Sequence, residues 1–212
     1  MKDFDKIIEK SFSSFAQLRG FTQKKGLFWC SVNDGLIKAI GFNKTPVKYE
    51  ALYFVQPLFD YQDCWVLEYG DTLLRRYPKK PKKLMLYRDF DELLINNNLE
   101  NIKLCLEKDV LARMSSICDA TSLLNVINGD LFFCRPVNRL RMAAYASLYS
   151  KKYEEAIILF NQYIEMEIKY GYCFEERISE PQKLLDIMKN DTESAYSVLV
   201  NNVDKSRKKL KE

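Results

Sequence analysis

Apolar residues at Phe4, Ile7, Ile8, Phe12, Phe15 and Leu18 recur at intervals of mostly three and four, the repeat that lines one face of a helix. Gly20 follows with the backbone freedom on which helices commonly end. The period then changes. Phe28, Cys30 and Val32 alternate with Leu27, Trp29 and Ser31, which is strand patterning. Asn33-Asp34-Gly35 is a tight-turn signal, so a strand over about Leu36 to Phe42 pairs back antiparallel. A second turn over Asn43 to Pro46 leads into a strand from about Val47 to Val55. After Pro57 a fourth strand is predicted from about Gln62 to Tyr69. Between Phe21 and Tyr69 stand eleven aromatic residues, both tryptophans included. That density suits strands and predicts a sheet with one face on the first helix and the other partly open.

Residues 75–83, Arg-Arg-Tyr-Pro-Lys-Lys-Pro-Lys-Lys, cannot continue a central strand and predict an exposed connection. Leu84 to Tyr87 is short enough to return as an edge strand. Everything after Asp89 has a helical period. Asp89 is placed to cap a segment holding Leu93 and Leu94, and Leu99, Ile102, Leu106, Val110, Met114 and Ile117 form one stripe. Thr121 to Asn128 predicts a short helix stopped by Gly129. Pro136 suits the first turn of a helix that forms a hairpin with its successor across Ser150-Lys151-Lys152. Two further helices are expected near Pro181 to Lys189 and Thr192 to Ser206, then a frayed basic tail. The expected fold is α+β: an N-terminal helix on a four- to five-stranded antiparallel meander over residues 1–87, and an all-helical C-terminal half over residues 88–212.

Composition narrows the chemistry. The chain of 212 residues has no histidine, which removes the commonest general base and zinc ligand. None of its seven glycines falls in a dinucleotide-binding, phosphate-loop or nucleophile-elbow motif. Its six cysteines, Cys30, Cys64, Cys105, Cys118, Cys134 and Cys173, include no C-x-x-C pair and are expected to be mostly reduced core residues. No secretion signal is written at the start, and the longest uncharged stretches, Ala120 to Gly129 and Ser194 to Val203, run to 10 residues, about half of a membrane span. A cytoplasmic location and no membrane partner are therefore expected. The acidic pairs Asp89/Asp91, Glu154/Glu155 and Glu175/Glu176 are the carboxylates closest to acid–base spacing, and adjacent helical carboxylates are usually solvated. No catalytic residue, cofactor or metal ligand is singled out.

Two features point to partners. Ala144, Tyr153, Ala156 and Phe160 have the spacing of one tetratricopeptide helix pair, near residues 137–167, where small residues let helices approach. Such units need neighbours to bury a continuous core, and one copy is present. The basic run is the other feature, since positive charge with an interleaved tyrosine holds phosphates and stacks a base. Lys24, Lys25, Lys38, Lys44 and Lys48 of the sheet region would extend it. The candidate partner-binding residues are Trp29, Trp65, Tyr69, Arg75, Arg76, Tyr77, Lys79 and Lys80. The net charge of +4 neither demands nor excludes nucleic acid.

Leu18, Gly20-Phe21, Lys24-Lys25-Gly26, Phe28, Gly35-Leu36-Ile37, Ile40 and Phe42 together resemble the opening of an uncharacterised bacterial domain family, a domain of unknown function in which a helix leads into a strand meander. Members are also similar in having a helical C-terminal half. The resemblance covers about residues 10–60 and implies a fold; it carries no active site. The favoured function is a non-catalytic protein-interaction module. The alternatives are a nucleic-acid-binding protein using residues 75–83, an immunity-type protein that neutralises a toxin, and an enzyme without a recognisable motif.

Overall fold

A computed structural model describes residues 4–61, 69–129, 135–170 and 175–210. Helix α1 (Phe4–Gln17) buries Phe4, Ile8, Phe12, Phe15 and Ala16, the expected stripe. Leu18 departs from it and is 84% exposed, because it falls in the turn that ends the helix. Gly20, at φ +78°, makes that turn: its N–H bonds Gln17 O and the Phe21 N–H reaches back to Ala16 O, the pairing of a Schellman cap.

The next element was not expected. Strand β1 (Thr22–Lys25) is exposed at every position, so it carries no buried alternation to read. It forms one edge of the sheet against β2 (Phe28–Asn33), with a register irregularity between Gln23 and Lys25, and its lysines discourage further edge pairing. The turn at Asp34 and Gly35, both at positive φ, returns the chain as β3 (Leu36–Lys44). That strand pairs with β4 (Lys48–Pro57) from Leu36↔Pro57 to Lys44↔Tyr49. The far edge of β4 is shared end to end. Strand β5 (Gly70–Thr72) pairs with its Leu52–Phe54 part and β6 (Met85–Tyr87) with its Lys48–Glu50 part. Among the described residues all pairings are antiparallel and the sheet has six strands. The returning edge strand at Met85 is the one the sequence predicts. Of the strand expected from Gln62 to Tyr69, residues 62–68 lie outside the described residues.

Helix α1 lies on one face of this sheet. Phe12 packs 5.0 Å from both Trp29 and Phe42, and Phe4 stacks 6.0 Å from Tyr49. The second face is not open. Leu36 to Phe42 are all buried, and so are Ala51 to Pro57, so residues of both parities are covered. The expectation of a half-solvated sheet is corrected: near-continuous apolar runs mark strands covered on both sides.

The helical half begins with two short turns, α2 (Leu73–Arg76), capped by the Thr72 hydroxyl, and α3 (Pro81–Leu84). Helix α4 (Glu92–Leu106) is capped by Asp91, whose carboxylate accepts the Leu94 N–H at 2.8 Å, and not by Asp89. The stripe from Leu99 to Ile117 is buried throughout. Its steps from Ile102 to Met114 are fours, which outrun the about 3.6 residues of an α-turn. A π-helical turn over Glu107–Leu111 takes up the excess and keeps Leu106, Val110 and Met114 on one side before α5 (Ala112–Ser115).

Helix α6 (Ala120–Val126) opens on an Asp119/Ser122 capping box. Helices α7 (Pro136–Tyr149), α8 (Tyr153–Lys169), α9 (Glu175–Met188) and α10 (Thr192–Lys209) complete the chain. Helix α9 starts before Pro181, which lies inside it, and α10 runs to Lys209, through most of the tail expected to fray. One connected set of buried apolar side chains runs from Phe4 to Val203. Cys30 is in that core, as expected of most cysteines, while Cys105 is half-buried and Cys118 is exposed. Cys64, Cys134 and Cys173 lie outside the described residues. Among the described residues no helix is long and apolar enough to cross a membrane.

Candidate functional site

Helices α7 and α8 present two different faces. Ser150 ends α7, and Lys151, at φ +59°, turns the chain. The N–H groups of Lys151 and Lys152 reach back to Leu148 O and Ser147 O, the same cap that ends α1. Ala144, Ala156 and Phe160 are fully buried, and Tyr145 meets Phe160 edge-on at 5.1 Å. The small residues picked out by their spacing thus lie where the two helices approach.

The inner face holds a buried charge cluster. Asp60, just beyond β4, is 0% exposed. It accepts Arg141 Nη2 at 2.7 Å and Arg141 Nε at 3.0 and 3.2 Å, and the Tyr69 hydroxyl at 2.9 Å. Arg141 Nη1 donates to the Tyr163 hydroxyl at 3.3 Å and to Arg177 O at 3.4 Å. Its Nη2 lies 3.6 Å from Glu180. Asn202 of α10 donates to Phe59 O at 3.2 Å and to Glu180 at 3.3 Å, and the Ser206 hydroxyl donates to Leu58 O at 3.0 Å. The segment after β4 is thereby tied to α7, α8, α9 and α10.

Burial, reinforced by the Asp60 charge, pushes the Tyr69 phenol well above its usual pKa, against an opposing pull from Arg141. Tyr145 is raised in the same way. For Arg141, burial works against the charged form, but Asp60 together with Tyr145 and Tyr69 outweighs it and the guanidinium stays protonated. Opposite charges meet with their hydrogen-bonding positions engaged, which is the arrangement that makes a buried pair tolerable. A general acid or base needs instead an open side facing substrate.

The outer face is a groove of about 620 Å³ lined by Asn128, Pro136, Arg139, Leu140, Ala143, Leu159, Gln162, Glu165, Met166, Lys169 and Tyr170. Arg139, Leu140 and Ala143 stand at helical spacing on the side of α7 away from Arg141 and Tyr145. Leu159, Gln162 and Met166 do the same on α8. The floor is apolar and the charges sit among the lining residues. Tyr170, at one end, is 59% exposed.

The sequence-predicted partner residues are scattered. Trp29 is 0% exposed and packed under α1, and Tyr69 is 2% exposed and bonded to Asp60. Both belong to the interior, so their aromatic surface is closed to a partner in this fold. Trp65 lies outside the described residues. Arg75 is exposed and stands 3.8 Å from the buried Asp71, and Arg76 reaches the Tyr53 hydroxyl at 3.5 Å. Tyr77 is half-buried with Lys80 Nζ 5.5 Å over its ring. Lys79 and Lys80 are exposed. The structure therefore brings together the residues from Arg75 to Lys83 and separates them from the two predicted aromatics.

Of the sheet lysines, Lys24, Lys25, Lys38 and Lys44 do not extend that basic run, whereas the half-buried Lys48 lies across from Tyr87 on β6. Lys24 and Lys25 lie on β1, at the opposite edge of the sheet from β5 and β6. Lys38 is 8% exposed, and Lys44 is held by Asp5 at 2.6 Å. Of the acidic pairs, Asp89, Asp91, Glu154, Glu155 and Glu175 are exposed. The Glu176 side chain lies outside the description. No group of three or more metal-ligating side chains occurs among the described residues.

Sequence reasoning missed both Asp60 with Arg141 and the groove. A signal for the pair existed: Asp60 ends the run ALYFVQPLF, and Arg141 precedes MAAYASLY, so each is a charge bordering a stretch of core. Their pairing across 81 positions is invisible locally. No protein-family model, curated protein or solved structure matches the chain.

Proposed function

We propose that the protein is a non-catalytic protein-interaction module whose docking face is the outer groove of the α7–α8 hairpin. The observation that carries this reading is the apolar floor of that groove, formed by Leu140, Ala143, Leu159 and Met166 beside an exposed Tyr170. Two packed helices leave a furrow into which a third helix lays an apolar stripe, and an exposed tyrosine is the kind of residue on which binding energy concentrates. The lining holds Arg139 and Lys169 against one carboxylate, Glu165. The occupant is therefore an amphipathic helix of a partner protein, with carboxylates flanking its apolar stripe. The engaged state of the inner cluster supports the same division of labour: charges inside hold the fold, and the surface outside recognises.

The test is affinity purification from the protein's own cells with wild type and with the groove variants Met166→Glu and Leu159→Lys. A defined protein retained by wild type and lost from both folded variants is the expected result. An identical set of proteins with all three baits contradicts the groove as the docking face.

A further inference from the structure

The basic run is largely exposed, as its composition predicts, and its backbone is folded into two short helical turns. Pro81 opens α3 in its first turn, and Asn98 of α4, 3% exposed, donates to Lys82 O and Met85 O, both at 2.9 Å. The backbone carrying the lysines is thus bolted to α4 by a buried amide. Lys79, Lys80, Lys82 and Lys83 are all exposed, and among the described residues no carboxylate pairs with any of them. Lys108, on the turn that follows α4, is also exposed. The neighbouring Glu107 is engaged by Arg19.

We propose that this lysine ridge binds the phosphate backbone of nucleic acid, independently of the groove. A protein partner is held by apolar and aromatic anchors at the centre of its interface, and the ridge offers none. Leu73 and Leu84 are buried, and Tyr77 is half-buried with Lys80 over its ring. A membrane surface draws on apolar side chains or a lipid chain in addition to charge. What remains is point charge on a fixed backbone, which fits a polyanion bound through counterion release and read without regard to sequence. Lysine ammonium groups serve phosphates in that manner, as point charges.

The experiment is fluorescence anisotropy of a labelled duplex DNA with the full chain across a salt series. Four phosphate contacts predict a log–log slope of about −3.6, a loss of roughly a hundredfold in affinity between about 50 and 200 mM salt. The quadruple variant Lys79→Ala/Lys80→Ala/Lys82→Ala/Lys83→Ala, and its glutamine counterpart as a second folded form, should each lose most of that slope. Met166→Glu in the groove should leave it unchanged. No binding at low salt, or binding whose slope survives both quadruple variants, overturns the proposal. So does equal affinity for polyglutamate or for vesicles of anionic lipid, which would make the ridge a charge sink for any anion.

Discussion

Gly20 and Lys151 hold the same position at the ends of different helices, each at positive φ and each followed by a residue whose N–H closes the cap. Glycine takes that conformation freely, whereas a side chain is crowded there. Gly20→Ala should therefore destabilise the protein by about 1 kcal/mol in urea unfolding. Lys151→Gly should move the midpoint the other way, even though it removes an exposed contact to Glu193, because such pairs contribute little. A stabilised Gly20→Ala would mean that the cap is not made. At this scale the glycine was legible, since Gly20 follows an amphipathic stripe. Lys151 was not, because nothing in a lysine announces a left-handed backbone.

The elements that could be read are those in which one face is buried and one is wet. Helix α1 fits that description, and the β2–β3 hairpin was legible from its turn, since Asp34-Gly35 fixes the pairing. Strand β1 was invisible because it is exposed on both sides, and the covered second face of β3 and β4 was misjudged because alternation was expected where the run is continuous. The π-helical turn was written in the sequence as three successive steps of four, from Ile102 to Met114, yet it emerges only once all four residues are known to be buried together.

The attachment of α1 to the sheet is also electrostatic. Asp5 accepts Lys44 and the Tyr49 hydroxyl, each at 2.6 Å. Burial raises the Asp5 pKa, and the hydrogen bonds from Lys44 and Tyr49 outweigh it, leaving the group below its usual value. A carboxylate depressed in the folded state contributes stability above its unfolded pKa and loses it as pH falls through the folded one. Taking wild type from neutral pH to about pH 3, below the usual aspartate value, should lower its melting temperature more than it lowers that of Asp5→Asn. An equal drop in both would remove Asp5 from the anchor.

For the whole molecule, the deciding contact is the one between Asp60 and Arg141, because through it the segment after β4 is tied to α7, α8 and α9 at once. Its residues could be flagged as odd charges beside core segments, but the partner of each lies far along the chain, and only the folded path brings them together. Removing one member strands a buried charge. Arg141→Met alone should cost about 3–5 kcal/mol, and adding Asp60→Asn should recover part of that loss. The groove was less legible still, since a furrow belongs to two helices and to neither sequence alone.

The central claim, that the inner charges hold the fold while the outer groove recognises, is tested most directly by carrying Asp60→Asn/Arg141→Met into the partner-capture assay under conditions where the variant is folded. The account predicts a lower melting temperature with capture at the wild-type level. A folded double variant that no longer retains the partner, beside a groove variant that still does, would contradict it and move the function to the buried cluster.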